Sequence, residues 1–243
     1  MKANYTMDAL GLRTREDLGN SSYITYTYDA TTRWLTGVYN QTSTPTLISS
    51  FAYTHDKVGN RTTMTELNGG TSGAFTYTYN ANYRLITETL VSGGTTLRTD
   101  YYYDEPGNRI QKNSTVNGIT NYAYNNANQC ISWTDASGIC YLDKYNGAGN
   151  LITETNTATG VMQEWGYDYE NHQTVYSTTG TSATYKIDAM GRRISKTVNG
   201  TTEYYFYDGA NVFYDIFGPN SYRVYITAGL GCIITCRTAS AVS

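Results

Sequence analysis

A phrase of about eight residues returns along this chain and constrains its fold more than any other feature. Aromatic residues alternate with threonines up to a tyrosine, an Asp or Asn follows, a short turn comes next, and an arginine opens the next segment. The clearest copies read YTYDATTR (26–33), YTHDKVGNR (53–61), YTYNANYR (77–84) and YYYDEPGNR (101–109). Weaker copies start at Tyr124, Tyr145, Tyr167, Ile187 and Tyr207, and a partial copy starts at Asp8. Their spacing, about 20 to 27 residues, predicts a repeat protein.

Each copy predicts two β-strands and a turn. Rings recur at every second residue, as in Phe75, Tyr77 and Tyr79, so one face of a strand is aromatic and the other carries threonine. An Asp or Asn after the ring favours a tight Asx-turn, and a glycine such as Gly59 or Gly107 suits a left-handed backbone. We therefore expect an all-β, antiparallel meander of about twenty short strands, each Tyr-Asp pair ending a strand.

The composition excludes several classes of function. Charged residues are 15% of the chain, while tyrosine occurs 26 times and glycine 23 times. The net charge is −3, and the cations are spread about one per repeat, which leaves no basic patch for nucleic acid. No apolar run reaches membrane-spanning length, and the first residues lack the apolar core of a secretory signal. We predict no nucleic-acid partner, no membrane insertion, no cofactor and no metal site.

Two cysteines lie close enough in sequence to raise the question of a disulfide across one hairpin. Cys130 and Cys140 flank the turn DASG (135–138). A two-residue loop pairs Cys140 with Trp133 and Cys130 with Asp143, which puts the two thiols on opposite faces. A disulfide would then require a bulged register.

The repeated polar residues are turn residues first. Acids that share one repeat position do not single out the two carboxylates that a glycosidase needs, so we predict no catalytic residue. Each arginine is expected to pair with a turn Asp, and the alternative is a row of guanidinium groups that binds an acidic polymer. The residues expected to anchor the repeats are Tyr28, Asp29, Arg33, Asp56, Gly59, Arg61, Tyr79, Arg84, Tyr103, Asp104, Gly107, Arg109, Tyr167, Asp168, Asp188, Gly191, Arg193, Tyr207 and Asp208.

The tyrosine rings leave two functional alternatives open. If the rings pack against neighbours, they form the core of a structural wall. If they are exposed, they form a sugar-stacking platform on a carbohydrate-binding or adhesive surface. The candidate stacking residues are Tyr77, Tyr79, Tyr101 and Tyr103.

These phrases resemble the Rhs/YD-repeat family, which includes bacterial Rhs and wall-associated proteins, the shell component of insect toxin complexes and the YD shell of teneurins. The resemblance covers residues 5–231. It implies a curved β-sheet strip that spirals into a hollow shell around a C-terminal, often toxic polypeptide. It also implies a structural segment without activity of its own, with the rest of an Rhs-type polypeptide or its cargo as partner, and a bacterial secreted or cell-surface setting.

The resemblance also suggests how the chain is divided. Residues 1–186 read as YD repeats, residues 187–231 resemble the entry to the conserved core of the family, and residues 232–243 match nothing in it. In the family, that core contains a self-cleaving aspartate protease. This chain has no Asp-Pro dipeptide of the protease type. Self-cleavage and toxin activity are therefore not expected here, and the chain reads as a piece of the repeat region.

Overall fold

A computed structural model of the chain describes residues 4–18, 20–44, 46–218, 221–228 and 232–240, with side chains as far as Tyr225. All the regular secondary structure in these ranges is β-strand, with no helix. No helix in them has the length and hydropathy needed to cross a membrane. The expectation of an all-β, helix-poor chain is confirmed.

The chain divides into two compact units, residues 1–121 and 122–243. The strands of the first unit are β1 Asn4–Met7, β2 Arg13–Asp17, β3 Tyr23–Tyr28, β4 Leu35–Gln41, β5 Leu47–His55, β6 Arg61–Asn68, β7 Thr71–Tyr79, β8 Leu85–Ser92, β9 Thr95–Tyr103, β10 Arg109–Ser114 and the start of β11 Gly118–Tyr124. Each pairs antiparallel with its neighbours in sequence, from β1 with β2 to β10 with β11.

The second unit repeats this arrangement. Its strands after β11 are β12 Cys130–Thr134, β13 Cys140–Tyr145, β14 Leu151–Asn156, β15 Met162–Tyr167, β16 Gln173–Thr178, β17 Thr181–Ile187, β18 Arg193–Val198, β19 Thr201–Asp208, β20 Asn211–Gly218, β21 Ser221–Ala228 and β22 Cys232–Ser240. From β12 to β22 each strand pairs antiparallel with the next. The predicted meander is therefore correct, and the repeat rings end strands as expected.

A β-bulge follows the turn in nine of the repeats. Tyr103 pairs with Arg109, but Tyr102 pairs with Gln111, so Ile110 is an extra residue on β10. The same shift follows eight other repeat turns. Because a bulge bends its strand and increases the local twist, these repeats add a bend at the same place.

The sheets have almost no buried interior. Among the described residues, Ala183 is the only buried hydrophobic side chain. The rings of β7, Phe75, Tyr77 and Tyr79, are half-buried, while Thr76 and Thr78 on the other face are exposed. Stability must therefore come mainly from cross-strand neighbours rather than from two packed layers.

The predicted pairing around the cysteines is wrong by one residue. Trp133 pairs with Tyr141, and Cys140 pairs with Thr134. This register puts Cys130 and Cys140 on the same face, but about 13 Å apart along the strand at the usual rise per residue. Both cysteines are free thiols, since that separation is too long for a disulfide.

Candidate functional site

The repeat turns share one hydrogen-bond pattern, which is clearest at Asp104. Its N–H donates to the carbonyl of Asn108 at 3.0 Å, and the Gly107 N–H donates back to its carbonyl at 3.2 Å. The carboxylate Oδ1 accepts the N–H groups of Gly107 and Asn108 at 2.8 and 2.7 Å. Oδ2 accepts Nδ2 of Asn108 at 2.9 Å. Gly107 has φ +112°, as its place in the turn predicts.

The side chains of the Asp and Asn residues that begin the repeat turns accept hydrogen bonds from N–H groups of the same turn. At the other repeat turns the side-chain oxygen accepts the N–H two residues on, a bond that Pro106 cannot make at Asp104; these residues are Asp8, Asp29, Asp56, Asn80, Asn125, Asn146, Asp168 and Asp188. Asp135 and Asn156, in turns between repeats, accept the same bond. Donation by the Asn108 side chain, followed by the backbone N–H groups, holds the pKa of Asp104 below its usual range. Asp208 differs, because it closes a two-residue hairpin with Asn211. These carboxylates are structural acceptors.

In five repeats the tyrosine before the turn residue donates its hydroxyl to a backbone carbonyl of the preceding repeat. Tyr103 donates to the carbonyl of Leu85 at 2.8 Å, where β8 begins. The equivalent bonds run from Tyr28 to Arg13, Tyr79 to Arg61, Tyr145 to Cys130 and Tyr207 to Arg193. Tyr167 ends β15 and is half-buried. The tyrosines thus fasten one hairpin to the next, a role that the alternating pattern does not reveal.

The repeat arginines lie over tyrosine rings. The guanidinium carbons of Arg61 and Arg193 are each 4.3 Å from a ring centroid, of Tyr53 and Tyr185 respectively. Arg109 lies 5.8 Å over Tyr101, and Arg84 lies 5.2 Å over Tyr103 while donating to the carbonyl of Asp104. The expected pairing with turn acids is wrong at Arg193, since the cation bound to Asp188 is its neighbour Arg192. Arg33 is itself a turn residue, with φ +65°.

In four of the repeat turns, the residue that closes the turn packs on the glycine of the following turn. We call Trp34, Arg84, Gln129 and His172 the closing residues. A Cβ added at Gly59 would lie 3.0 Å from Cζ2 of Trp34, and one at Gly191 would lie 3.1 Å from Nε2 of His172. Arg84 stands over Gly107 and Gln129 over Gly149 in the same way. Open grooves of about 670 and 390 Å³ flank the Trp34 and His172 contacts.

One turn brings together groups that could bind a metal. The ligand atoms of Asp168, Glu170 and His172 lie within 4.8 Å of one another. However, Oδ1 of Asp168 already accepts two N–H groups at 2.9 Å, and its Oδ2 faces Nδ1 of His172 at 3.3 Å. The geometry is that of the other repeat turns, with histidine in the closing position.

The candidate stacking residues are half-buried along one strand face. The rings of Phe75 and Tyr77 are nearly parallel, at 5° and a centroid distance of 6.2 Å. The hydroxyls of Tyr79 and Tyr103 are occupied by backbone carbonyls, and Tyr101 and Tyr103 carry arginines. A ligand at Tyr101 and Tyr103 would therefore meet arginine side chains as well as rings, and the sugar-stacking hypothesis stays a prediction.

Bacterial nucleases contain stretches similar in sequence to this chain. WapA of Bacillus spizizenii, a tRNA3(Ser)-specific nuclease, is 30% identical over 185 residues, which are 73% of this chain and 7% of the relative. The tRNA(Glu)-specific nuclease WapA of Bacillus subtilis subsp. natto is 32% identical over 160 residues, 60% of this chain and 6% of the relative. The chain thus spans a small part of the length of these curated relatives. No protein-family model matches it.

Solved toxin structures contain the same fold. The Tc holotoxin pore of Photorhabdus luminescens superposes with a TM-score of 0.69 and 17% identity, covering 92% of this chain and 14% of that one. The TcdB2-TccC3-Cdc42 structure gives a TM-score of 0.54 at 14% identity, over 98% of this chain and 15% of that one. The match extends over nearly the whole of this meander.

Proposed function

Because the chain is made of Rhs/YD-family repeats, we propose that it is a structural segment of an encapsulating β-sheet wall with no catalytic activity of its own. In a full-length protein, the wall encloses a C-terminal toxin or effector. The observation that carries this proposal is the bonding between repeats, in which tyrosine hydroxyls and closing residues reach the neighbouring hairpin. The turn acids are held as backbone acceptors, which leaves them unsuited to acid-base chemistry.

The proposed partners follow from the role of the chain as a segment of an encapsulating wall. They are the rest of an Rhs-type polypeptide and the cargo it encloses, in a bacterial protein that is secreted or displayed at the cell surface. The nuclease activities belong to the WapA relatives, of which this chain matches a small part. The matched part is repeat sequence, and this supports a role in the wall rather than in turnover.

Protease protection of the cargo tests the proposal. In a polypeptide that carries these repeats together with a C-terminal effector, we expect the effector to resist protease at concentrations that digest it when it is expressed alone. Gly107→Val, which forces a β-branched residue into a left-handed turn, should open the wall and expose the effector. Equal digestion of the effector with and without the repeats would contradict the encapsulating role.

The competing hypothesis is a carbohydrate-binding or adhesive surface. The nearly parallel rings of Phe75 and Tyr77 favour it, because sugars stack on such faces. A glycan array on the purified protein distinguishes the two functions, with Tyr77→Ala and Tyr103→Ala as site variants and Tyr102→Ala, on the other face, as the matched control. We expect no binding that depends on these rings. Saturable binding lost in the site variants alone would favour the adhesive function.

A further inference from the structure

Four asparagines of this chain are each followed directly by a glycine. They are Asn68, Asn117, Asn146 and Asn199. Such pairs are prone to spontaneous deamidation, because glycine has no side chain to hinder the approach of its backbone nitrogen to the asparagine amide. The dipeptide is the same at all four places, so a difference in reactivity depends on how the fold holds each asparagine.

Two of these side chains are held by backbone groups. Oδ1 of Asn146 accepts two N–H groups of its own repeat turn, at 3.0 and 2.9 Å. Oδ1 of Asn199 accepts the N–H of Ser182 at 2.8 Å, and its Nδ2 donates to the carbonyl of Gly180 at 3.2 Å. Each side chain must therefore break two hydrogen bonds before its Cγ can turn toward the nitrogen of the following glycine.

Asn68 has no such restraint. It is the last residue of β6, where it pairs with Thr71 across a two-residue turn, and it is exposed. Its side chain makes no hydrogen bond to another described residue. The amide of Asn68 can therefore rotate toward the backbone nitrogen of Gly69 without losing a contact within the described chain.

The glycines themselves do not distinguish these three sites. Gly69, Gly147 and Gly200 each have no atom within 4 Å of an added Cβ. None of their N–H groups makes a backbone hydrogen bond to a described residue. The attacking nitrogen is equally accessible at the three sites, and the difference lies in the asparagine side chains. Asn117 is outside the comparison, because its glycine is part of β11 and pairs with Ser114.

We propose that Asn68 is a site of spontaneous deamidation in the folded protein, and that Asn146 and Asn199 are protected. The backbone nitrogen of Gly69 gives its proton to hydroxide and forms a bond to Cγ of Asn68. The Cγ–Nδ2 bond breaks, and ammonia leaves with a proton taken from water. Water then opens the resulting succinimide at either carbonyl. One opening gives aspartate, and the other gives isoaspartate, in which the main chain runs through Cβ and Cγ.

Both products alter the hairpin of β6 and β7. Each adds a negative charge two residues from Glu66, on the same face of the strand. Isoaspartate also adds one carbon to the main chain, directly before a turn whose glycines have φ +56° and +84°. The pairing of Asn68 with Thr71 then no longer fits the regular ladder. Deamidation is thus a covalent change that this hairpin undergoes without an enzyme.

Peptide mapping by mass spectrometry tests the proposal, after incubation of the folded protein in mildly alkaline water labelled with heavy oxygen. Each event incorporates one oxygen from the solvent, which marks the peptide that has reacted. We expect conversion of Asn68 to be at least about tenfold faster than that of Asn146 or Asn199, the effect of two hydrogen bonds that must first break. In guanidinium chloride, where the fold is lost, the three sites should react at similar rates.

A conservative variant controls for the chemistry. Asn68→Gln keeps an amide at this exposed position but would have to close a larger ring, so it should fold and take up no label there. Label at this position in Asn68→Gln would show that uptake does not proceed through the succinimide and would overturn the mechanism. Equal rates at the three sites in the folded protein, or an intact Asn68 there while the unfolded chain reacts, would overturn the site.

Discussion

The third residue after the Asp or Asn of a repeat turn shows how the local environment selects the amino acid. Gly59, Gly107, Gly149 and Gly191 occupy it with positive φ, but so do Tyr83, Asn128 and Asn171. A left-handed backbone alone does not therefore require glycine here. At Gly59, Gly107, Gly149 and Gly191 a closing side chain lies directly above the glycine, whereas Gly11, in the first turn, has no atom within 4 Å of an added Cβ.

Replacing two glycines separates these effects. Gly59 and Gly138 both have positive φ, at +97° and +83°, but Gly138 has no atom within 4 Å of an added Cβ. Gly138→Ala should cost about 1 to 2 kcal/mol from backbone strain. Gly59→Ala should cost about 1 kcal/mol more, because its Cβ meets the Trp34 ring. Urea unfolding measures both, and equal losses would contradict the packing account.

The carboxylates of the repeat turns make the free energy of unfolding depend on pH in the acid range. The bonds from Asn108 keep the pKa of Asp104 below its usual range in the folded protein. Such a group contributes stability above the unfolded pKa of about 3.9, and this is lost as the pH falls through the lower folded value. Asp104→Asn should therefore flatten the fall in stability between pH 5 and pH 2.

Chemical unfolding across this pH range measures the acid effect, with Glu105→Gln as a control at an exposed acid of the same turn. An Asn can accept the same backbone bonds, as Asn80 and Asn146 do. The variant should thus fold. An unchanged acid profile in Asp104→Asn would show that this turn does not contribute to the pH dependence.

At the scale of the element, a hairpin is held by its neighbour as much as by its own turn. The bulge after each turn shifts the second strand by one residue. The tyrosine of the following repeat then reaches the carbonyl at the start of that strand, as Tyr79 reaches Arg61. Five hairpins supply a carbonyl acceptor to the next one in this way.

Removing one hydroxyl tests this contact between hairpins. Tyr103→Phe leaves the carbonyl of Leu85 without its 2.8 Å donor and should cost about 1 kcal/mol. Tyr102→Phe removes a hydroxyl from a side chain that is 48% exposed and should change stability by less than about 0.5 kcal/mol. Thermal and urea unfolding compare the two. A similar loss in both variants would mean that the bond from the Tyr103 hydroxyl to Leu85 has no special role.

At the scale of the whole molecule, the chain forms two compact units of meandering sheet, and among the residues whose burial is described neither unit has a layered hydrophobic core. The chain divides after residue 121 because the residues on each side of this point make most of their contacts within their own unit. The boundaries predicted at residues 186 and 231 concern repeat type, and they stay predictions. Part of the predicted tail, residues 232–240, forms β22. The remaining tail residues, 241–243, lie outside the described ones.

Circular dichroism checks the fold as a whole. We expect a β-type far-ultraviolet spectrum with less than about a fifth helix, below the usual third for globular proteins. Because Ala183 is the only buried hydrophobic side chain among the described residues, near-ultraviolet signals should come from rings in lateral contact, such as Trp133 with Tyr141. Trp133→Ala should reduce that signal while preserving the far-ultraviolet spectrum. A substantial helical signal would contradict the fold.

The amino-acid sequence alone determined the fold class, the strand ends and the turn chemistry. These depend on short-range patterns: rings at every second residue, and an Asp or Asn that bonds its own backbone. The positive φ of Gly59 and Gly107 followed from the same local reasoning.

Only the tertiary structure decided which residues meet across strands. The bulges shift the register, so Arg61 lies over Tyr53 and Arg193 over Tyr185 instead of binding turn acids. The partner of Tyr79 is a carbonyl 18 residues earlier, a distance in sequence that no local pattern encodes. The bonds that hold Asn199 were missed for the same reason. Its side chain binds backbone groups of Gly180 and Ser182, which strand pairing brings beside it, whereas the same dipeptide at Asn68 has no such partner among the described residues.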